Sequence, residues 1–266
     1  MAKPPILADK NPSSPSVFQP TALLREARRQ KGLVAADVPA ICILDPDGDI
    51  VRTLRQGGLA APFKPWPCYH TDLDTFTLAG ETVGIVGRAV GGPFAVLVAE
   101  QLFASGCRLL LSLTSAGQIH PAGRPPYFVI IDRALRDEGT SYHYAAPLDF
   151  SEADPQLVAM AATALTASGL DARVGASWTT DAPFRETAEA IASAQSKGLL
   201  AVEMEAAALY TFARAARVQV LCLAHVTNTM GLAREDFQKG EADGTADALR
   251  LLDAIVSAYS ASPGRP

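Results

Sequence analysis

The sequence is short of the features that mark several large functional classes. It has no apolar run near the roughly 20 residues needed to span a bilayer, and its opening, MAKPPILADKNPSSP, holds no apolar core of the kind a secretion signal carries. A protein of the cytoplasm, without a membrane partner, is expected. Its four cysteines, Cys42, Cys68, Cys107 and Cys222, stand far apart, and three lie in or beside apolar runs. They read as buried thiols rather than a disulfide frame or a zinc site. The four histidines have no ligand spacing, so neither a metal nor an organic cofactor is expected. Positive charge is also scarce: 23 Lys and Arg against 28 Asp and Glu leave a net charge of −5, and the one basic cluster, Arg25, Arg28, Arg29 and Lys31, is short. No field is present to gather nucleic acid. Aromatics reach only 7%, which argues against a β-sandwich built on aromatic pairs.

What is abundant is Ala, Leu and Val, in a chain of 266 residues that is 48% hydrophobic and long enough to bury one large core. Residues 1–36 divide into a Pro- and Ser-rich arm and a short helix from Thr21 to Lys31; residues 37–266 form one domain. Short apolar runs at 40–44, 82–87, 108–113, 127–131, 172–177, 199–202 and 218–226 predict strands, and the stretches 93–105, 155–168, 183–196, 204–216 and 244–261 predict helices. Runs such as RLLLSL are apolar on both faces, so the expectation is an α/β fold, a central mixed sheet flanked by helices. Ligands of such sheets sit at the carboxyl ends of strands.

Five strand ends carry polar residues. DPDGDIVRTL places Gly48 in a turn and Arg52 one helical turn later, which suits an oxyanion, although this segment alone reads more simply as an ordinary turn with a surface arginine. GIVGRAVGGP sets Arg88 beside a Gly91-Gly92-Pro93 turn at a helix start; Gly84, Gly87 and Gly91 do not spell the dinucleotide fingerprint. LLLSLTSAGQI ends in hydroxyls and a glycine, a candidate phosphate cradle. AVEMEAAALY puts Glu203 and Glu205 at an apolar strand end, where two carboxylates must bind something or be paired, unless they serve only as helix-start acids. CLAHVTNTMG brings Thr227 and Asn228 to the last strand end, with an amide able to read the edge of a base, while His225 reads as a satisfied buried residue.

Together VEMEAAALY at 202–210, VGGP at 90–93, TSAG at 114–117, RDEGTSYHY at 136–144 and TTDAPFRET at 179–187 resemble the purine nucleoside and uridine phosphorylase superfamily, from about Ile41 to Leu252. The resemblance implies that Glu205 holds the ribose hydroxyls and Met204 packs on the sugar. It implies phosphate at Gly48, Asp49, Arg52 and Ser115, and a base site lined by Glu203, Trp178, Thr179, Pro183 or Phe184. The hexameric branch carries an arginine where Ser112 stands. Arg88, in a Gly-Arg pair like that of the trimeric branch, is the expected replacement. Thr227 and Asn228 resemble the Thr-Asn of that branch, so Asn228 would stabilise the departing base. The Gln and Arg pair by which uridine phosphorylases read uracil is not evident, although Arg185 stands nearby. Implied too is a homo-oligomer, dimer, trimer or hexamer, with His143 and Tyr144 reaching an adjoining subunit. The expected activity is phosphorolysis of a nucleoside, purine before uridine, by a pentosyltransferase of nucleoside catabolism and salvage with inorganic phosphate as co-substrate. The alternatives are a hydrolytic nucleosidase of the same superfamily and a non-catalytic nucleoside-binding protein.

Overall fold

The computed structural model describes residues 4–170, 172–230, 237 and 239–262. In chain order the elements are α1 (Pro20–Lys31), β1 (Ile41–Asp45), α2 (Asp49–Gln56), β2 (Ala61–Pro62), β3 (Asp74–Leu78), β4 (Glu81–Gly87), α3 (Gly92–Phe103), β5 (Leu109–Gln118) and β6 (Tyr127–Asp137). They continue with β7 (Phe150–Glu152), α4 (Pro155–Ala167), β8 (Ala172–Thr180), α5 (Ala188–Ser196), β9 (Ala201–Glu203), α6 (Ala206–Ala216), β10 (Gln219–Asn228) and α7 (Thr245–Ala261). The expected α/β architecture is present. β1 lies between β4 and β5 in parallel register, and β3 and β2 extend the sheet beyond β4 in antiparallel fashion. The central strands are apolar on both faces because helices cover both: α3 and α6 on one side, α2, α4 and α7 on the other. No described helix is long and apolar enough to cross a membrane. The four cysteines are buried free thiols.

The sheet does not stay open. β5, β10, β6, β8 and β9 pair one with the next and back to β5, closing a ring. β5 is the hinge between ring and sheet: β1 pairs with its residues Leu109–Ser112 and β9 with Gly117 and Gln118. Residues 113–116, between them, have β10 as their strand partner. A break in pairing along one edge of a buried strand leaves backbone and hydroxyl groups available to a ligand. Thr114 and Ser115 stand in that break.

Ring closure also explains where the structure exceeds the expected strands. The runs at 108–113 and 127–131 continue to Gln118 and Asp137 because β9 and β8 pair with their polar tails. The expected helix 183–196 is a 3-10 turn, Pro183–Arg185, followed by α5, since Thr187 keeps extended backbone and its Oγ1 accepts from Ala190 N at 3.3 Å. β3 was masked in the sequence by its acidic start: Asp74 is buried, held by Arg55 at 2.6 Å. The N-terminal arm lies on its own chain, with Lys10 Nζ 3.2 Å from His143 Nδ1 and with Ile6 and Phe18 lining a cavity of about 550 Å³ against α3.

Candidate active site

The paired carboxylates at the end of β9 take two different roles. Glu203 is saturated: its Oε1 accepts from Ser177 Oγ at 2.9 Å and Thr179 Oγ1 at 2.5 Å, and its Oε2 from Glu205 N and Ala206 N, both at 2.7 Å. It caps the start of α6 and ties it to β8. The reading of Glu203 as a base ligand is therefore corrected: its wall borders the cavity, but its oxygens are spent. Glu205, 1% exposed, accepts one strong hydrogen bond, from Gly91 N at 2.7 Å, and a long one from Met204 N at 3.4 Å. Burial, and then the charge of Glu203, push its carboxyl up to about 8, while Gly91 N–H and the Thr114 hydroxyl pull the other way. A buried acid with a raised pKa beside a strand end is a candidate for contact with substrate.

Beyond Gly91 lies a cleft of about 370 Å³ lined by Gly48, Arg52, Gly87 and Arg88, among others. The buried Asp45 holds two of its lining residues, accepting from Gly48 N at 3.1 Å and Val51 N at 2.9 Å and so capping α2; burial raises its carboxyl to about 6. Gly48 has φ 78°, and a Cβ there would come within 2.9 Å of Arg88 Cγ, so glycine is required for Arg88 to lie across the turn. Arg88 itself holds φ 65°, a left-handed conformation that is uncommon outside glycine and concentrates at functional sites. Arg52 is engaged, pairing with Asp49 and Asp243, both at 2.6 Å. Ser115 Oγ donates to Asp47 Oδ1 at 2.9 Å, which ties β5 to the turn after β1.

That second cavity, about 330 Å³, is lined by Ser115, Phe184, Glu186, Met204, Asn228 and Phe237, among others. Asn228 reaches it through a register slip in β10 between Val226 and Asn228, a bulge that turns consecutive residues Thr227 inward and Asn228 to the cavity. Its Oδ1 accepts from Met230 N at 2.9 Å, and its Nδ2 donates weakly to Ala116 O and Thr227 Oγ1 at 3.4 and 3.3 Å. Phe184 stands at the rim, 99% exposed. Two expected base-site residues are not brought here. Trp178 is packed among Ile119, Leu199 and Val202, its Nε1 donating to Asp137 at 3.0 Å. Thr179 is wholly buried, donating to Glu203 and accepting from Ala207 N at 2.9 Å. Both belong to β8, not to the loop after it. His225 stacks on Phe128, ring centroids 4.5 Å apart, and burial followed by Lys239 lowers its pKa to about 4.

Three residues were missed in the sequence. Glu186, whose carboxyl is raised to about 7 by burial, sits inside the TTDAPFRET segment next to Arg185, where its position one residue before the Thr cap gave a signal. Asp47 was legible only as a turn residue. Lys239 lies outside every motif and reaches Asp47 and Asp49 by tertiary folding alone.

Comparison with known proteins decides the family. The sequence profile of the phosphorylase superfamily matches residues 40–257. The chain belongs to the phosphorylase superfamily. Curated relatives in this superfamily include the DeoD-type purine nucleoside phosphorylases of Exiguobacterium sibiricum and of Bacillus cereus strain ZK, each 30% identical over 156 residues, 58% of this chain and 66% of the relative. Among solved structures, uridine phosphorylase of Vibrio fischeri ES114 superposes with a TM-score of 0.73 as its complex with 6-hydroxy-1-naphthoic acid, at 18% identity, covering 87% of this chain and 99% of that one. A second structure of that enzyme gives a TM-score of 0.71 at 19% identity, covering 85% and 95%. These structures establish the superfamily fold.

Proposed function

We propose that the chain is a nucleoside phosphorylase that cleaves the N-glycosidic bond with inorganic phosphate, releasing free base and ribose 1-phosphate. The observation that carries the reading is three chemically distinct features gathered at strand ends: an arginine-lined cleft, a buried carboxyl bound by Gly91 N–H, and a cavity with aromatic, amide and acid walls. The chemistry needs these three. As the bond from C1′ to the base breaks, the sugar gains oxocarbenium character, phosphate closes on C1′ from one side, and the base leaves with negative charge on the other. Arg88, Arg52, Gly48 and Ser115 would hold phosphate; Glu205 would accept the ribose hydroxyls with Met204 against the sugar; positioning supplies much of the rate.

For the base, Asn228 would exchange its present bonds for N7 and a 6-oxo group, and Glu186 would accept N1–H, which inosine and guanosine offer and adenosine lacks. Phe184 would cover the ring. A 6-oxopurine nucleoside is thus the first substrate, with uridine, which also presents an N–H beside a carbonyl, next. By family likeness the working form is a cytoplasmic homo-oligomer. One specific observation favours a second reading, hydrolysis: Asp47 places a carboxylate on Ser115, and Ser112 carries no charge. A nucleoside panel with and without phosphate separates the two. Ribose 1-phosphate formed only with phosphate is the expected outcome; free ribose formed equally fast without it overturns phosphorolysis.

A further inference from the structure

Lys239 belongs to no strand-end motif, yet it pairs with the two carboxylates that hold Ser115 and Arg52. Its Nζ lies 3.0 Å from Asp47 Oδ2 and 2.6 Å from Asp49 Oδ2, and its side chain is 28% exposed. Asp47 accepts Lys239 on one oxygen and the Ser115 hydroxyl on the other. An ammonium and a hydroxyl converging on two oxygens of one anion is how such donors hold a phosphate. Among the described residues Asp47 caps neither the turn nor α2, because the N–H groups of Gly48 and Val51 are bound by Asp45. Beside a bound phosphate its charge would be repulsive at close range.

Resting on the phosphorylase reading, we propose that Lys239 is a phosphate-binding residue, held ready by Asp47, which occupies the place of the substrate anion and releases Lys239 and Ser115 when phosphate enters. Asp49 keeps a second hold on the ammonium throughout, so Lys239 need only swing between neighbouring oxygens. Displacing Asp47 opposes phosphate entry, and Asp47 therefore sets how much phosphate the enzyme requires.

The test pairs two variants that must move in opposite directions. Lys239→Met is expected to raise the KM for phosphate about tenfold, as loss of one charge-assisted contact does, with the KM for nucleoside unchanged. Asp47→Asn is expected to lower the KM for phosphate, and Lys239→Arg to restore most of the affinity. Calorimetric titration of the free proteins with inorganic phosphate reads the same order without turnover. Phosphate affinity unchanged in Lys239→Met, or weakened in both Lys239→Met and Asp47→Asn, overturns the proposal while leaving phosphorolysis standing. A wild-type protein that neither binds phosphate nor needs it overturns both.

Discussion

Glu205 and Arg88 hold their positions against local cost, which makes their functional and structural contributions separable. The Glu205 carboxyl keeps its proton to about pH 8 in the folded chain and to near its ordinary value in the unfolded one. The folded state therefore binds the proton more tightly, and the associated stability is present at low pH and lost as pH rises from about 4.5 to about 8. If the carboxylate is the form that accepts ribose hydroxyls, kcat/KM for nucleoside should rise over the upper part of that window. Thermal stability should fall through the whole of it. Glu205→Gln should flatten both profiles, hold or raise Tm, and lower kcat/KM on the order of a hundredfold; a wild-type pH profile retained in that variant would remove Glu205 from the sugar site. Arg88, at φ 65°, is best tested as Arg88→Gly. Glycine relieves a left-handed strain of about 1 kcal/mol, so the variant should melt no lower than wild type yet lose roughly a hundredfold in phosphate-dependent kcat/KM. An unchanged rate would show that the guanidinium serves only the turn. Asn228→Asp should shift relative kcat/KM toward adenosine, since a protonated carboxyl can donate to N7; equal ratios for inosine, adenosine and uridine in both proteins would mean that the side chain does not read the base.

At the scale of elements, α6 depends on a single carboxylate. Four donors from β8 and from the start of α6 converge on Glu203, so Glu203→Ala leaves buried groups unpaired. We expect a loss of about 2–4 kcal/mol, read by denaturant melts; a change under about 0.5 kcal/mol would return Glu203 to the list of ligand candidates. The contact of α3 with α6 is equally close: a Cβ on Gly92 would lie 2.9 Å from Ala208 Cβ. Gly92→Ala should destabilise by about 1–3 kcal/mol through overpacking and, by moving α3, disturb the Gly91 bond to Glu205. How far these elements were legible depended on what holds them. The run AVEMEAAALY announced a strand end, two acids and an Ala-rich helix, but the division of labour between Glu203 and Glu205 rests on Ser177 and Thr179 of β8, distant in sequence. TTDAPFRET similarly announced a cavity wall. Which of its residues face the cavity was decided by where β8 stops, after Thr180, and Trp178 and Thr179 fell on the inner side of that boundary.

At the scale of the whole molecule, ring closure and the forked edge of β5 create the site, and the surface beside it bears on assembly. Tyr144 Oη donates to Glu100 at 3.0 Å, and its ring meets Phe212 edge-on, so it packs on its own chain; His143 is engaged by Lys10. If neighbouring subunits meet here, they do so across the exposed apolar side chains nearby, Phe18 and Leu97. Light scattering at micromolar concentration should find a homo-oligomer, and Leu97→Asp should shift it toward monomer; a wild-type monomer with full activity would rule assembly out.

The sequence by itself determined the class of this protein. Apolar runs covered on both faces require helices on both sides of a sheet, and local motifs carry their chemistry wherever chain direction alone places them, as with Gly48, Arg88 and Glu205 after the ends of β1, β4 and β9. Tertiary structure decided everything that depends on pairing between distant segments: the ring that draws polar tails into strands, the bulge that aims Asn228, and the roles of the two glutamates. It also brought Lys239 to Asp47 across 192 residues of chain. An ion pair of that span leaves no periodicity and no spacing to read, because its geometry exists only once β1 and the segment after β10 share one end of the sheet.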